Sequence, residues 1–142
     1  MKKLHLIFGM FALVVFLLTG QFMHRYYNHM VGVETDVRLL YRTRHIFILL
    51  AALLNLGIGI YFNQRQQAWR KILQYLGSAL IVTGSVLFMA GFFYEPKLEN
   101  LYTPLSHWGA YTVVAGTFFH LFSSARQEVL PETDNAMSGS RV

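Results

Sequence analysis

Six histidines carry whatever coordination chemistry this chain can perform, because its 142 residues include no cysteine. Disulfides, thiolate metal sites, iron–sulfur clusters and cysteine nucleophiles are excluded, and metal or redox chemistry falls to His, Met, carboxylates or a bound cofactor. The histidines divide into two tiers. His24, His45 and His107 flank the ends of apolar runs that alternate in direction, so they gather at one face; His5 and His120 gather at the other. A b-type haem needs two neutral imidazoles from facing helices, acceptors for their free ring nitrogens, apolar walls and cations near the propionates. The first tier offers the fuller set. His45 and His107 are the expected axial pair with His24 beside them, and Arg42 and Arg44 are placed to meet propionates, with Arg38 and Arg25 in reserve. The second tier offers His5 and His120, with Lys2 and Lys3 nearby.

Spacing bears on whether one helix can serve both tiers. His107 and His120 are 13 residues apart, a rise of ~20 Å that suits two stacked haems across a bilayer. Their side chains, however, point ~220° apart around the axis. A second metal arrangement lies in Met23-His24-Arg25-Tyr26-Tyr27-Asn28-His29-Met30. Its two Met–His pairs, Met23 with His24 and His29 with Met30, offer thioether and imidazole ligands that suit copper, above all Cu(I). Interface anchoring is the plain alternative for these rings, since amphipathic side chains collect at helix ends whatever their function.

Four apolar runs must position these groups. Helices are expected over 5–23, 45–62, 72–94 and 107–122, each near the ~20 residues that cross ~30 Å of hydrocarbon. In lipid the backbone must bond to itself, so such runs are helical. Hydrophobic residues make up 54% of the chain and charged ones 13%, and the charges lie outside the runs. The expected fold is therefore all-α: a polytopic membrane protein built as an up-down-up-down four-helix transmembrane bundle, because short loops force antiparallel neighbours. Residues 1–123 form that single domain. Residues 124–142, polar and containing Pro131, read as a disordered cytoplasmic tail.

The first run reads as a retained helix rather than a cleaved signal peptide, since it exceeds the ~7–15 residues of an h-region and lacks an Ala-x-Ala site. With the N-terminus inside, Lys2, Lys3, Arg65, Arg70, Lys71, Arg126 and Arg141 lie on the cytoplasmic side, against Arg25, Arg38, Arg42, Arg44 and Lys97 outside. Basic residues therefore favour, by a small margin, an orientation with both termini cytoplasmic, and the expected location is a bacterial-type inner (plasma) membrane. The net charge of +5 comes from these flanks and meets anionic lipid, so no nucleic-acid partner follows.

Small residues mark the expected seams. Gly77, Gly84 and Gly91 recur every seven residues in the third run, with Ser78 and Ser85 beside them, and Gly109 and Gly116 repeat that spacing in the fourth. In lipid, small residues let helix backbones approach and gain dispersion contacts; the same stripe could also cradle a flat macrocycle. Asn55, Gln74, Tyr75, Thr83, Tyr111, Thr112 and Thr117 are expected to bond across helices, and Asn55 is also a candidate contact for a quinone. Glu95 precedes Pro96 and is expected to stop the third helix, because the residue before proline is pushed from the α region.

What is missing excludes several classes. All seven acidic residues fall outside the apolar runs, which argues against a proton-driven carrier. No Gly-x-Ser-x-Gly, His-Glu-x-x-His, phosphate-binding glycine loop or repeated His-x-x-His is present, so hydrolysis, nucleotide chemistry and di-iron oxygenation have no support. In layout, though in no motif, the histidine tiers on four helices resemble cytochromes of the b561 type. That resemblance implies a small electron-transfer subunit holding haem b near its outer face. The alternative from another class is an accessory or scaffold subunit that binds no cofactor and packs into a larger membrane complex or a homo-oligomer.

Overall fold

The computed structural model describes residues 1–26, 31–98 and 102–124. These form four helices: α1 (Lys2–Tyr26), α2 (Thr35–Tyr61), α3 (Ala68–Tyr94) and α4 (Pro104–Ser124), with a 3-10 turn at Glu95–Lys97 after α3. No strand occurs among the described residues. α1, α2 and α3 are long and apolar enough to cross a membrane. α4 has 21 residues, a length of about 31 Å at 1.5 Å per residue, but it is not among the helices whose length and hydropathy together suit a membrane crossing.

Each helix begins before its apolar run, and α2 begins furthest ahead. The segment expected as the polar half of the first loop is helical from Thr35 onward, carrying Arg38, Arg42 and Arg44 on the first turns of α2. Nothing in that segment opposes helix formation: it holds neither proline nor glycine, and Asp36 sits in the first turn where the helix dipole favours negative charge. Asp36, outside the apolar run and expected in the first loop, lies instead on this helical extension. α3 ends at Tyr94, as the proline suggested, yet Glu95 keeps helical dihedrals of −65° and −37° and its N–H still bonds to the Gly91 carbonyl. The helix tightens into the 3-10 turn rather than extending at Glu95.

The helices pack as two hairpins. α1 lies along α2, α4 lies along α3, and α2 against α3 joins the pairs. The α3–α4 seam is the glycine stripe. A Cβ at Gly84 would lie 2.7 Å from the Gly109 carbonyl oxygen, and one at Gly116 would lie 2.7 Å from that of Gly77. Backbone therefore meets backbone along this seam, and the space a macrocycle would need beside those glycines holds the opposite helix. α1 and α2 interlock differently, by leucine over glycine: Leu56 covers Gly9 and Leu6 covers Gly59. Between the hairpins, Tyr41, Ile48 and Phe92 form one apolar cluster and Ala51, Phe88 and Val113 another.

The side chains expected to bond across helices mostly do something more local. Thr112 donates to the Trp108 and Gly109 carbonyls and Thr117 to that of Val113, all within α4. Gln74 clamps the α2–α3 turn, donating to the Asn63 carbonyl at 2.8 Å and accepting from the Arg65 N–H at 3.1 Å. Tyr75, Thr83 and Tyr111 are exposed. Asn55 alone joins helices, and it does so at the centre of a longer chain of bonds.

Candidate functional site

Two buried polar assemblies stand at opposite ends of the bundle. At the first end the start of α2, the end of α3 and the start of α4 converge on Glu95, whose carboxylate is fully buried. Arg44 Nε donates to Glu95 Oε2, the Ser106 N–H donates to Oε1 at 2.8 Å, and the Ser106 hydroxyl donates to Oε2. Arg44 is itself 5% exposed. Expected as a propionate partner, Arg44 is instead committed to a carboxylate, and Glu95, read from the sequence only as a helix stop, is the residue that commits it. Charge pairing with further hydrogen bonds is what makes burial of two ions tolerable.

The histidines of that end do not converge. His45 turns toward α1: its ring stacks on Phe16 with centroids 4.0 Å apart, its Nδ1 lies 2.9 Å from the Thr19 hydroxyl, and its edge rests on Gly20. His107 is exposed, with Nδ1 2.7 Å from the Thr103 carbonyl. The structure thus separates the expected axial pair, because neighbouring positions on a helix diverge by ~100°. Arg44 and Ser106 face the interior, so His45 and His107, each one residue further along, face away. His24, Arg25 and Arg42 are exposed and Arg38 is partly buried. Met23 packs on the Tyr41 cluster, while His29 and Met30 lie outside the described residues.

At the opposite end, His5 and His120 do meet. His5 is wholly buried although it is only the fourth residue of α1. Its surroundings fix its tautomer through a chain of donors. Ser85 Oγ donates to the Ile81 carbonyl at 2.7 Å and accepts from Asn55 Nδ2 at 2.9 Å; the second Asn55 amide proton goes to the Ala51 carbonyl at 2.8 Å. Asn55 therefore presents its carbonyl oxygen to His5 Nδ1, 2.8 Å away. Nδ1 must be the donor, so the proton sits there and Nε2 carries a lone pair. That Nε2 is buried with no hydrogen-bond partner. Both ends of the Asn55 carboxamide are engaged within the protein, as expected of interhelical bonding.

The His120 ring centroid lies 6.1 Å from that of His5, with the planes at 74°. Ser78 Oγ lies 3.2 Å from His120 Nε2, so this imidazole too has one nitrogen held by a side chain on a neighbouring helix. Phe62, at the C-cap of α2, completes a triangle of rings, its centroid 6.5 Å from His5 and 6.2 Å from His120. α1 and α4 do not otherwise pack along each other; these rings bridge them. Sequence reasoning placed both histidines at one face but ranked them second, because that tier holds only two histidines with Lys2 and Lys3 nearby, against three histidines and four arginines at the other. The available signal was Asn55: a carboxamide inside an apolar helix needs partners, and a histidine is among the few side chains here able to supply one.

Among the described residues no group of three or more His, Asp or Glu side chains is placed to hold a metal ion together. No protein family, curated protein or solved structure matches this chain.

Proposed function

We propose that this chain is a small integral membrane protein that crosses the bilayer four times with both termini cytoplasmic, and that it holds a metal centre between His5 and His120 at the cytoplasmic end. The observation that carries this reading is the wholly buried His5, whose Nδ1 is fixed by Asn55 and whose Nε2 lone pair has no donor. An unsatisfied buried acceptor costs about 1–3 kcal/mol, and metal-binding histidines characteristically have their second nitrogen tethered in this way. An outer-face haem on His45 and His107 is less well supported, since His45 stacks on Phe16 of α1 while His107 stands exposed on α4.

Purified full-length protein from cells supplied with haem and transition metals tests the reading by metal analysis and visible absorption. Bound metal or haem that survives His45→Ala and His107→Ala but disappears in His5→Ala and His120→Ala is the expected result. Loss on His45→Ala or His107→Ala alone returns the centre to the outer tier. A colourless, metal-free wild type leaves the accessory-subunit reading. A specific feature favours that second reading: the glycine seams and the Glu95 network tie the helices to one another through protein groups alone.

A further inference from the structure

Resting on the metal-centre reading of His5 and His120, the geometry points to a single bare Cu(I) ion, bound by the two imidazoles in low coordination, as the occupant of that site. Three features select it. The first is separation. Two imidazoles sharing one ion through bonds of about 2.0 Å place their ring centroids roughly 5–6.5 Å apart, and these stand at 6.1 Å. Each ring also has one nitrogen to give. His5 offers Nε2, and His120 offers Nδ1 in the tautomer that protonates Nε2, whose proton Ser78 Oγ, 3.2 Å away, is placed to accept.

The second feature is Phe62. It is almost equidistant from both histidines, at 6.5 and 6.2 Å, and so stands in the plane that bisects the line between them. A porphyrin with these imidazoles as axial ligands would occupy that same plane. Phe62 therefore walls a small ion and obstructs a macrocycle.

The third feature is charge and ligand number. Both donors are neutral, and the buried carboxylate, Glu95, belongs to the opposite end of the bundle. The cost of burying an ion rises with the square of its charge, so a monovalent ion is far easier to hold here than a divalent one. Zinc seeks four ligands, and calcium and magnesium seek oxygen. Among the described residues no third His, Asp or Glu joins the pair. Cu(I), with a filled d shell and an affinity for imidazole, accepts two or three donors. The site differs from the Met23, His24, His29 and Met30 arrangement in both its residues and its end of the molecule.

Competition against a chromophoric Cu(I) chelator under anaerobic conditions, on the full-length protein in detergent, tests this with Cu(I) itself as probe. The expected result is one Cu(I) per chain, lost in His5→Ala and in His120→Ala and retained in a Met23→Leu/Met30→Leu variant. Asn55→Leu, which frees the His5 tautomer, weakens retention about 10–100-fold. X-ray absorption of the wild-type complex should show two short nitrogen bonds and no sulfur, a readout that does not depend on any variant folding. Sulfur in the coordination shell, or loss in the methionine variant, overturns the assignment. A Soret band that requires His5 and His120 overturns copper while leaving their role as a metal centre intact. Equal Cu(I) uptake by the wild type and the double His5→Ala/His120→Ala variant overturns the copper site, and absence of any other bound metal then overturns both.

Discussion

The Glu95 end and the His5 end are built from similar materials and finished differently. Both bury a polar side chain completely, and both recruit partners from three helices. Around Glu95 each carboxylate oxygen accepts bonds from Arg44 or Ser106, and the network closes. Around His5 the bonds run from Ile81 through Ser85 and Asn55 to Nδ1 and stop at an atom with nothing to accept from. A closed network stabilises and specifies a packing; an open one keeps a ligand-ready atom in a fixed direction. The contrast teaches that polar groups are buried in this bundle in two ways, and that the unsatisfied group, not the count of charges, marks the end at which we propose a metal centre.

The most disruptive way to break the contrast is at Glu95. Removing it strands Arg44 in the interior, and Glu95→Ala should cost about 3–5 kcal/mol of stability, read as earlier unfolding in a denaturing-detergent titration. Replacing both partners, Arg44→Met with Glu95→Leu, should recover most of that loss, since two apolar groups leave no uncompensated charge. A double variant no better than the single one would show the network to be more than a lock. Next in size, Gly84→Ala drives a methyl against the Gly109 carbonyl and should cost about 1–3 kcal/mol by the same titration while leaving Cu(I) retention unaltered, because it acts on the seam and not on the rings. The smallest effect sharpens the contrast from the other side: His107→Ala, at an exposed position, should change stability by no more than about 0.5 kcal/mol and leave any bound metal in place.

Much of the packing was legible beforehand, and the site was less so, for physical reasons. Spacing of seven among Gly77, Gly84 and Gly91, matched by Gly109 and Gly116, announces a seam because helical periodicity is local information. Antiparallel connection of short-looped helices was equally readable, and the structure pairs them in that way. The arginines of the first loop misled, because a polar composition does not reveal that α2 starts at Thr35 and carries them on helix. Glu95 and His5 were hidden for a shared reason. Each meets its decisive partner about fifty residues away in sequence, Arg44 in one case and Asn55 in the other, and no local pattern encodes such a meeting. His45 and His107 looked better because they lay beside arginines, but a one-residue offset from Arg44 and Ser106 turns both rings out of the shared interior.

The two hairpins have a further consequence for how the molecule can be watched. Leucine-over-glycine contacts join α1 to α2, and carbonyl-on-glycine contacts join α3 to α4, so each pair packs as one body. His5 belongs to one body and His120 to the other. Their separation is therefore a built-in ruler: any rocking of one hairpin on its neighbour lengthens or shortens it, and a spectroscopic label or ion seated across the rings would register that motion directly.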